Sequence, residues 1–186
     1  MAGALIKARA VAQSVEALDE QKPVGPGPVR LILQINGSRR EIEAEPRVTL
    51  LDVLRNRLQL TGAKEVCDRA TCGGCTVLVN GRPVYACMKL AIEMEGQEIV
   101  TVEGLGDGRN LTPIQRAFVE CDAMMCGYCT PGFIMALTAL FRETPHPGLD
   151  EIKKACAGNL CRCGAYPHIF KAAQAAAGAP SAGATT

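Results

Sequence analysis

The cysteines constrain this chain more than any other feature. Residues 66–87 read VCDRATCGGCTVLVNGRPVYAC and place Cys67, Cys72, Cys75 and Cys87 at C-x4-C-x2-C-x11-C. A second set, Cys126, Cys129, Cys161 and Cys163, is spaced C-x2-C-x31-C-x-C. The chain holds ten cysteines in 186 residues beside two histidines. Its first twenty residues, MAGALIKARAVAQSVEALDE, contain no continuous apolar run, because Glu16, Asp19 and Glu20 interrupt it. The Arg39-Arg40 pair lies too deep for a twin-arginine signal. The expectation is therefore a reducing, cytoplasmic setting, in which paired cysteines more often bind metal than cross-link. The periplasm is the alternative where a signal has been removed or a partner carries one.

Charge and composition exclude other classes. Twenty Lys and Arg face nineteen Asp and Glu, without the clustered basic excess of a nucleic-acid binder. Aromatic residues are 4% and Trp is absent, so stacking platforms for single strands are not expected. The uncharged stretch GYCTPGFIMALTALF is too short to span a bilayer and carries a Pro-Gly break, so membrane insertion is not expected.

Along the chain, residues 2–20 can form an amphipathic helix with Val11, Val15 and Leu18 on one face. EQKPVGPGPV reads as a flexible linker, with three prolines and two glycines. From Val29, VRLILQI and RREIEAE flank Asn36-Gly37, a hairpin signal because a type I′ turn needs positive φ. Thr49 can cap the helix LLDVLRNRL, with Asp52 completing an approximate capping box. After the first cysteine loop, CTVLVN and RPVYAC form a second hairpin around Asn80-Gly81, and QEIVTVEGL supplies a last strand. GLGDGRN marks a break, after which the periodicity is helical. Helices are expected over about 112–122, 130–143, 150–157 and 166–177. Thr112-Pro113 and Thr130-Pro131 each place a cap before a first-position proline. Asp150 starts the third helix, Gly158 ends it in a left-handed turn, and Gly178 closes the fourth. APSAGATT reads as a frayed tail.

The first cysteine set has the spacing of a plant-type 2Fe–2S site. Three thiolates must converge on two irons while the peptide between them curls and points N–H groups inward. Gly73 and Gly74 permit that curl. Zinc, which prefers paired short knuckles, fits the four-residue gap badly. In the second set, C-x2-C before one capped helix and C-x-C before another bring two helix N-termini to one point. Their unpaired N–H groups and partial positive charge suit an anionic thiolate cluster. Zinc is a fair rival for that set alone, and spacing does not decide between them. Cys121 and Cys156 sit on helices among small or apolar neighbours and read as buried free thiols.

In their order, TGAKEVCDRATCGGCTVLVNGRPVYAC, TVEGLG, CGYCTPG and GNLCRCGAYPHIF resemble the iron–sulfur subunit of the molybdenum hydroxylases. That family includes xanthine dehydrogenases, aldehyde oxidoreductases, carbon monoxide dehydrogenases and N-heterocycle hydroxylases. The resemblance spans residues 29–177 and is nearest to bacterial aldehyde oxidoreductases. It implies an α+β chain: an arm over 1–28, a β-grasp ferredoxin-like domain over 29–106, a four-helix 2Fe–2S domain over 107–177 and a tail over 178–186. It further implies two 2Fe–2S clusters, ligated by Cys67, Cys72, Cys75 and Cys87 and by Cys126, Cys129, Cys161 and Cys163. No catalytic residue is expected in this chain. The partners implied are a large subunit carrying molybdopterin-bound molybdenum and an FAD-binding medium subunit. Electrons would pass singly from the pterin through the helical-domain cluster and then the ferredoxin-type cluster to the flavin.

By position, Cys163 and Met125 are the residues facing the pterin. Met125 stands where the family pattern has glutamine, and a thioether is a weak acceptor, so that contact is lost or replaced. Val66 stands for a usual glycine, Gly74 for alanine and Ala157 for serine, and none of these removes a ligand. Two other readings remain from the residues alone. A stand-alone two-cluster ferredoxin would carry a strongly charged docking face, and a structural zinc protein would be colourless.

Overall fold

The computed structural model describes residues 25–106 and 110–178. The arm helix over 2–20 and the tail over 179–186 lie outside them. Strand β1 (Val29–Ile35) alternates strictly, with Leu31, Leu33 and Ile35 buried and the residues between them turned outward. It pairs antiparallel with β2 (Ser38–Ala44), Ile35 opposite Ser38. The turn between them is Asn36 at φ 52° and Gly37 at φ 71°, as a type I′ hairpin demands. Strands β3 (Thr76–Val79) and β4 (Arg82–Tyr85) repeat the device with Asn80 at φ 49° and Gly81 at φ 79°.

Strand β5 (Glu98–Val100) runs parallel to β1 and antiparallel to β3, which closes a mixed sheet of order β2-β1-β5-β3-β4. It is shorter than QEIVTVEGL suggests, because the chain turns into a 3₁₀ segment at Val102–Gly104. That turn is fixed by Asn36, whose amide oxygen accepts from Thr101 N at 2.9 Å and whose Nδ2 donates to Thr101 Oγ1 at 3.0 Å.

One helix packs on the sheet. It begins as α1 (Leu50–Asp52) and widens at once into a π-helical turn, Val53–Arg57, with Leu58 N bonded to Val53 O. Leu50, Leu51, Val53 and Leu54 enter the core beside the β1 side chains. Thr49 Oγ1 accepts from Asp52 N at 3.2 Å. The reciprocal half of a capping box is missing, because the Asp52 carboxylate takes the Asn56 amide at 2.7 Å instead. Thr49→Ala should therefore cost about 1 kcal/mol, measurable as a shifted denaturant midpoint with unchanged slope.

Four α-helices follow: α2 (Pro113–Glu120), α3 (Thr130–Glu143), α4 (Leu149–Cys156) and α5 (Tyr166–Ala177). They enclose a second core of Ile114, Phe118, Phe133, Leu137, Ile152, Ile169 and small residues from α5. Thr112 caps α2, its N–H and its hydroxyl both donating to Gln115 Oε1, at 2.9 and 2.8 Å. Three expectations at helix ends are corrected. Thr130 is the first helical residue rather than the cap; Cys129 occupies the cap, and the Thr130 hydroxyl is buried without a protein partner. Helix α4 starts from Gly148, whose N–H donates to Glu151 at 2.8 Å, so Asp150 lies inside it. Gly158 has no positive φ. Its lack of a side chain serves close packing, because a Cβ there would stand 2.0 Å from the Tyr85 hydroxyl.

The sheet and the helices meet along α3. Leu78 from β3 packs on Met135 and Ala139 of α3, with Val100, Val102 and Leu105 beside them. This contact fixes how the two cysteine loops face each other.

Candidate metal centres

The first loop hangs between α1 and β3. Arg55 ties its start to the helix by donating to the Thr61 and Ala63 carbonyls at 2.9 and 2.8 Å. Lys64 N bonds to Gly74 O at 2.9 Å and draws the loop into a ring. Inside that ring, Asp68, Ala70 and Gly73 all have positive φ, at 50°, 57° and 68°. Turning the chain through left-handed positions aims its amides at sulfur. Ala70 N lies 3.4 Å from Cys87 Sγ, Thr71 N 3.4 Å from Cys67 Sγ and Gly74 N 3.5 Å from Cys72 Sγ. Of the two glycines, only Gly73 is left-handed. Gly74 is a matter of room: a Cβ there would lie 3.2 Å from Val66 and 3.7 Å from Cys72 Sγ.

The second site forms where α3 and α5 begin. Cys129 caps α3, and Ala165 N, at the start of α5, lies 3.4 Å from Cys161 Sγ. Cys126 Sγ and Cys163 Sγ stand 3.6 Å apart. Tyr166 shapes the Cys161 turn: its hydroxyl accepts from Cys161 N at 3.0 Å, and its ring packs edge-on to Phe133 at 5.9 Å.

Within each set the thiols come together in pairs. Cys126 Sγ pairs with Cys163 Sγ, and the thiols influence one another's ionisation in the pairs Cys67 with Cys72, Cys75 with Cys87 and Cys129 with Cys161. Among the described residues no three such groups close around a single ion. Two thiols per metal, twice over, is the donor arrangement of a two-iron cluster, whose irons each take two cysteine sulfurs.

The electrostatics agree with that chemistry. Hydrogen bonding, first from the Thr71 side chain, lowers the Cys67 thiol to about 6, and the Tyr128 backbone N–H lowers Cys126. Burial raises the deep thiols Cys75 and Cys129 to about 12. Such thiols become thiolates only when a cation replaces the proton. The all-sulfur donor set and the inward amides therefore fit iron–sulfur clusters.

Each set has a deep and a shallow side. Cys75, Cys87 and Cys161 are buried, Cys67, Cys72 and Cys129 are partly covered, and Cys126 and Cys163 are exposed. Met125 is 71% exposed beside them, and Leu160, Tyr128 and Val66 are exposed apolar residues. Cys121 and Cys156 stay outside both sets. Cys121 ends α2, with its carbonyl 2.9 Å from His168 Nδ1. Cys156 is buried in the helical core, and burial lifts its thiol to about 12.

That value predicts a pH effect. The folded pKa lies above the ordinary thiol value, so the unfolded chain loses its proton first as pH rises. Stability is unaffected below about pH 8 and falls from about pH 9 toward 12, by up to ~1.4 kcal/mol per pH unit. Cys156→Ala should flatten this component, read as Tm against pH for the two proteins.

Residues missed by reading the sequence cluster between the sites: Tyr85, Gly132, Gly158, Asn159 and Tyr166. The only local signal was their place inside the VNGRPVYAC, CGYCTPG and GNLCRCGAYPHIF runs.

Known proteins fit this geometry. Residues 33–103 match the family described as 2Fe-2S iron-sulfur cluster binding domain, and residues 101–174 match the [2Fe-2S] binding domain family. The chain is 45% identical over 163 residues to the aldehyde oxidoreductase iron-sulfur-binding subunit PaoA of Escherichia coli, covering 80% of this chain and 71% of that one. It is 44% identical over 144 residues to the nicotine 6-hydroxylase small subunit of Paenarthrobacter nicotinovorans, covering 77% and 87%. Among solved structures, quinoline 2-oxidoreductase of Pseudomonas putida superposes with a TM-score of 0.78 at 40% identity, covering 81% of this chain and 94% of the matched chain. Aldehyde oxidoreductase of Desulfovibrio desulfuricans gives 0.77 at 36%, over 80% of this chain but 17% of that longer one. With two matched cluster-binding families across the described fold and relatives this similar, the chain belongs to the 2Fe–2S iron–sulfur subunits of the molybdenum hydroxylase family of oxidoreductases.

Proposed function

We propose that this chain is the electron-transfer subunit of a molybdenum hydroxylase acting on aldehydes, with Cys67, Cys72, Cys75 and Cys87 holding one 2Fe–2S cluster and Cys126, Cys129, Cys161 and Cys163 the other. The observation that carries this reading is the placement of the thiols: two four-thiol sets share one packed junction, the second with Cys126 and Cys163 exposed and the first with Cys67 and Cys72 partly covered. When bound, the clusters supply one-electron carriers whose potentials depend on hydrogen bonds to sulfur and on exposure.

The protein's own residues set those conditions. The amides of Ala70, Thr71, Gly74 and Ala165 stabilise negative sulfur. Burial of Cys75, Cys87 and Cys161 keeps water from the deep sides. The exposed apolar rim of Met125, Tyr128 and Leu160 offers a docking face to the large molybdopterin subunit. Met125 and Cys163 are the contacts nearest that cofactor, and an FAD subunit receives the electrons beyond the first set. The proposed division is a β-grasp domain over 29–106 and a four-helix domain over 107–177.

The Desulfovibrio relative supports a partner of this kind, since the matching unit there is 17% of one longer chain. Aldehyde oxidation rests on the 45% identity to PaoA. The N-heterocycle reading stands beside it, because the nicotine 6-hydroxylase subunit is 44% identical. Purification of the tagged chain from its native host should bring down a larger complex with roughly stoichiometric molybdenum that oxidises aldehydes. A complex that hydroxylates nicotinic or quinoline rings instead would move the chain to the second reading. A monomer carrying iron without molybdenum would overturn both in favour of a free ferredoxin.

A further inference from the structure

The two thiol sets are distant in sequence, yet their flanking backbones touch. Leu160 N donates to the Cys72 carbonyl at 2.9 Å, and Leu160 immediately precedes Cys161. The neighbouring Gly73 carbonyl accepts from Asn159 Nδ2 at 2.9 Å, from Thr76 Oγ1 at 2.7 Å and from Thr76 N at 3.2 Å. Asn159 is 4% exposed, and its Nδ2 also lies 3.3 Å from Thr76 Oγ1. Tyr85 closes the other side by donating to the Gly158 carbonyl at 3.1 Å.

The seam is also built for close approach. A Cβ on Gly132 would stand 2.2 Å from Gly73 O, and one on Gly73 would stand 2.5 Å from both Asn159 Nδ2 and Gly158 O. Gly132, like Gly158, lacks a positive φ, so proximity alone requires glycine there. Every one of these contacts bears on the Cys72–Gly74 backbone or on the strip 158–160 that faces it.

On the reading that both sets carry 2Fe–2S clusters, we propose that Asn159 is the positioning residue for electron transfer between them. It holds the Gly73 carbonyl, in the peptide next to the Cys72–Gly73 one, so that the Cys72 carbonyl stays against Leu160 and the Leu160-to-Cys72 hydrogen bond bridges Cys72 and Cys161. From Cys72 Sγ the route follows that residue's Cβ, Cα and carbonyl, crosses one hydrogen bond, and continues along the Leu160–Cys161 backbone to Cys161 Sγ. Every other link in it is covalent. The crossing through the Asn159 side chain itself is longer, so the role of that side chain is to anchor Gly73 beside the bridging Cys72 carbonyl. In the step, the second cluster is oxidised by one electron and the first is reduced by one; no bond forms or breaks and no proton moves. The electron comes from the organic substrate oxidised at the partner's molybdenum and leaves to the flavin.

The test uses the purified holo-complex, flash-reduced, with both cluster signals followed by electron paramagnetic resonance. Asn159→Ala should keep both signals and their spin counts. Transfer between them should slow by roughly ten- to a hundredfold, the upper figure being the scale of loss for a 1 Å misplacement, and their magnetic interaction should weaken. Leu160→Pro, which removes the bridging N–H, should slow transfer as much. Unchanged transfer in Asn159→Ala or Leu160→Pro would overturn the proposal. So would loss of either signal in Asn159→Ala, which would assign the residue to cluster assembly. Absence of two 2Fe–2S signals in the unsubstituted complex would instead overturn the functional reading beneath it.

Discussion

Gly73→Ala is expected to destabilise the protein by roughly 2–5 kcal/mol and to strip iron from the first site. Two costs combine at this position. The backbone is left-handed at φ 68°, which costs a residue with a Cβ about 1–2 kcal/mol. The new methyl would also meet Asn159 Nδ2 and Gly158 O at 2.5 Å. Neither can withdraw easily, because Asn159 is buried and bonded while Gly158 O is backbone held by Tyr85. Overpacking of that kind adds about 1–3 kcal/mol. Gly96 separates the two terms: it has φ 72° with open space around it. Gly96→Ala should therefore show the conformational cost alone, about 1–2 kcal/mol, with iron retained. Thermal denaturation and iron content of the two variants check this directly. Equal, small losses in both would show that the seam yields and that the close approach is not a constraint.

Cys161→Ser is expected to remove one cluster and leave the other, lowering iron from about four to about two per chain and abolishing electron flow from substrate. Cys161 is buried and pairs with Cys129, whose thiol burial holds near 12. Without its partner sulfur and the metal, a Cys129 thiolate would be an uncompensated buried charge, so Cys129 takes a proton instead. The first set lies across the seam, and its thiols make their own amide contacts, so its spectrum should persist. Cys67→Ser should produce the reverse. Iron near four in Cys161→Ser with an unchanged second signal would remove Cys161 from the ligand set.

Much of the fold was legible because local chemistry and tertiary structure agree there. Asn36-Gly37 and Asn80-Gly81 each need positive φ and each obtain it. The strand that VRLILQI suggests forms, with Leu31, Leu33 and Ile35 on its buried face. Thr112 caps α2 directly before Pro113, with Gln115 Oε1 accepting from its N–H. Legibility failed where long-range contacts override local preference. Thr130 has the look of a cap, but the chain reaches α3 through Cys129. Asp150 is a good helix starter, yet the Gly148 amide and the Glu151 carboxylate pair first. Gly158 resembles a helix terminator, while its real constraint is a tyrosine hydroxyl 73 residues upstream in sequence. The spacing singled out eight thiols as two sets of four. It gave no hint of the Asn159 clamp, because nothing local distinguishes a buried asparagine that bonds across a junction from one that caps a turn.

The most direct measurement is iron, zinc and acid-labile sulfide on the complex purified from its native host, with electron paramagnetic resonance after reduction. The account predicts about four iron and about four sulfide per chain, with two distinguishable 2Fe–2S signals. Zinc in place of iron, or a single signal with about two iron, would contradict it.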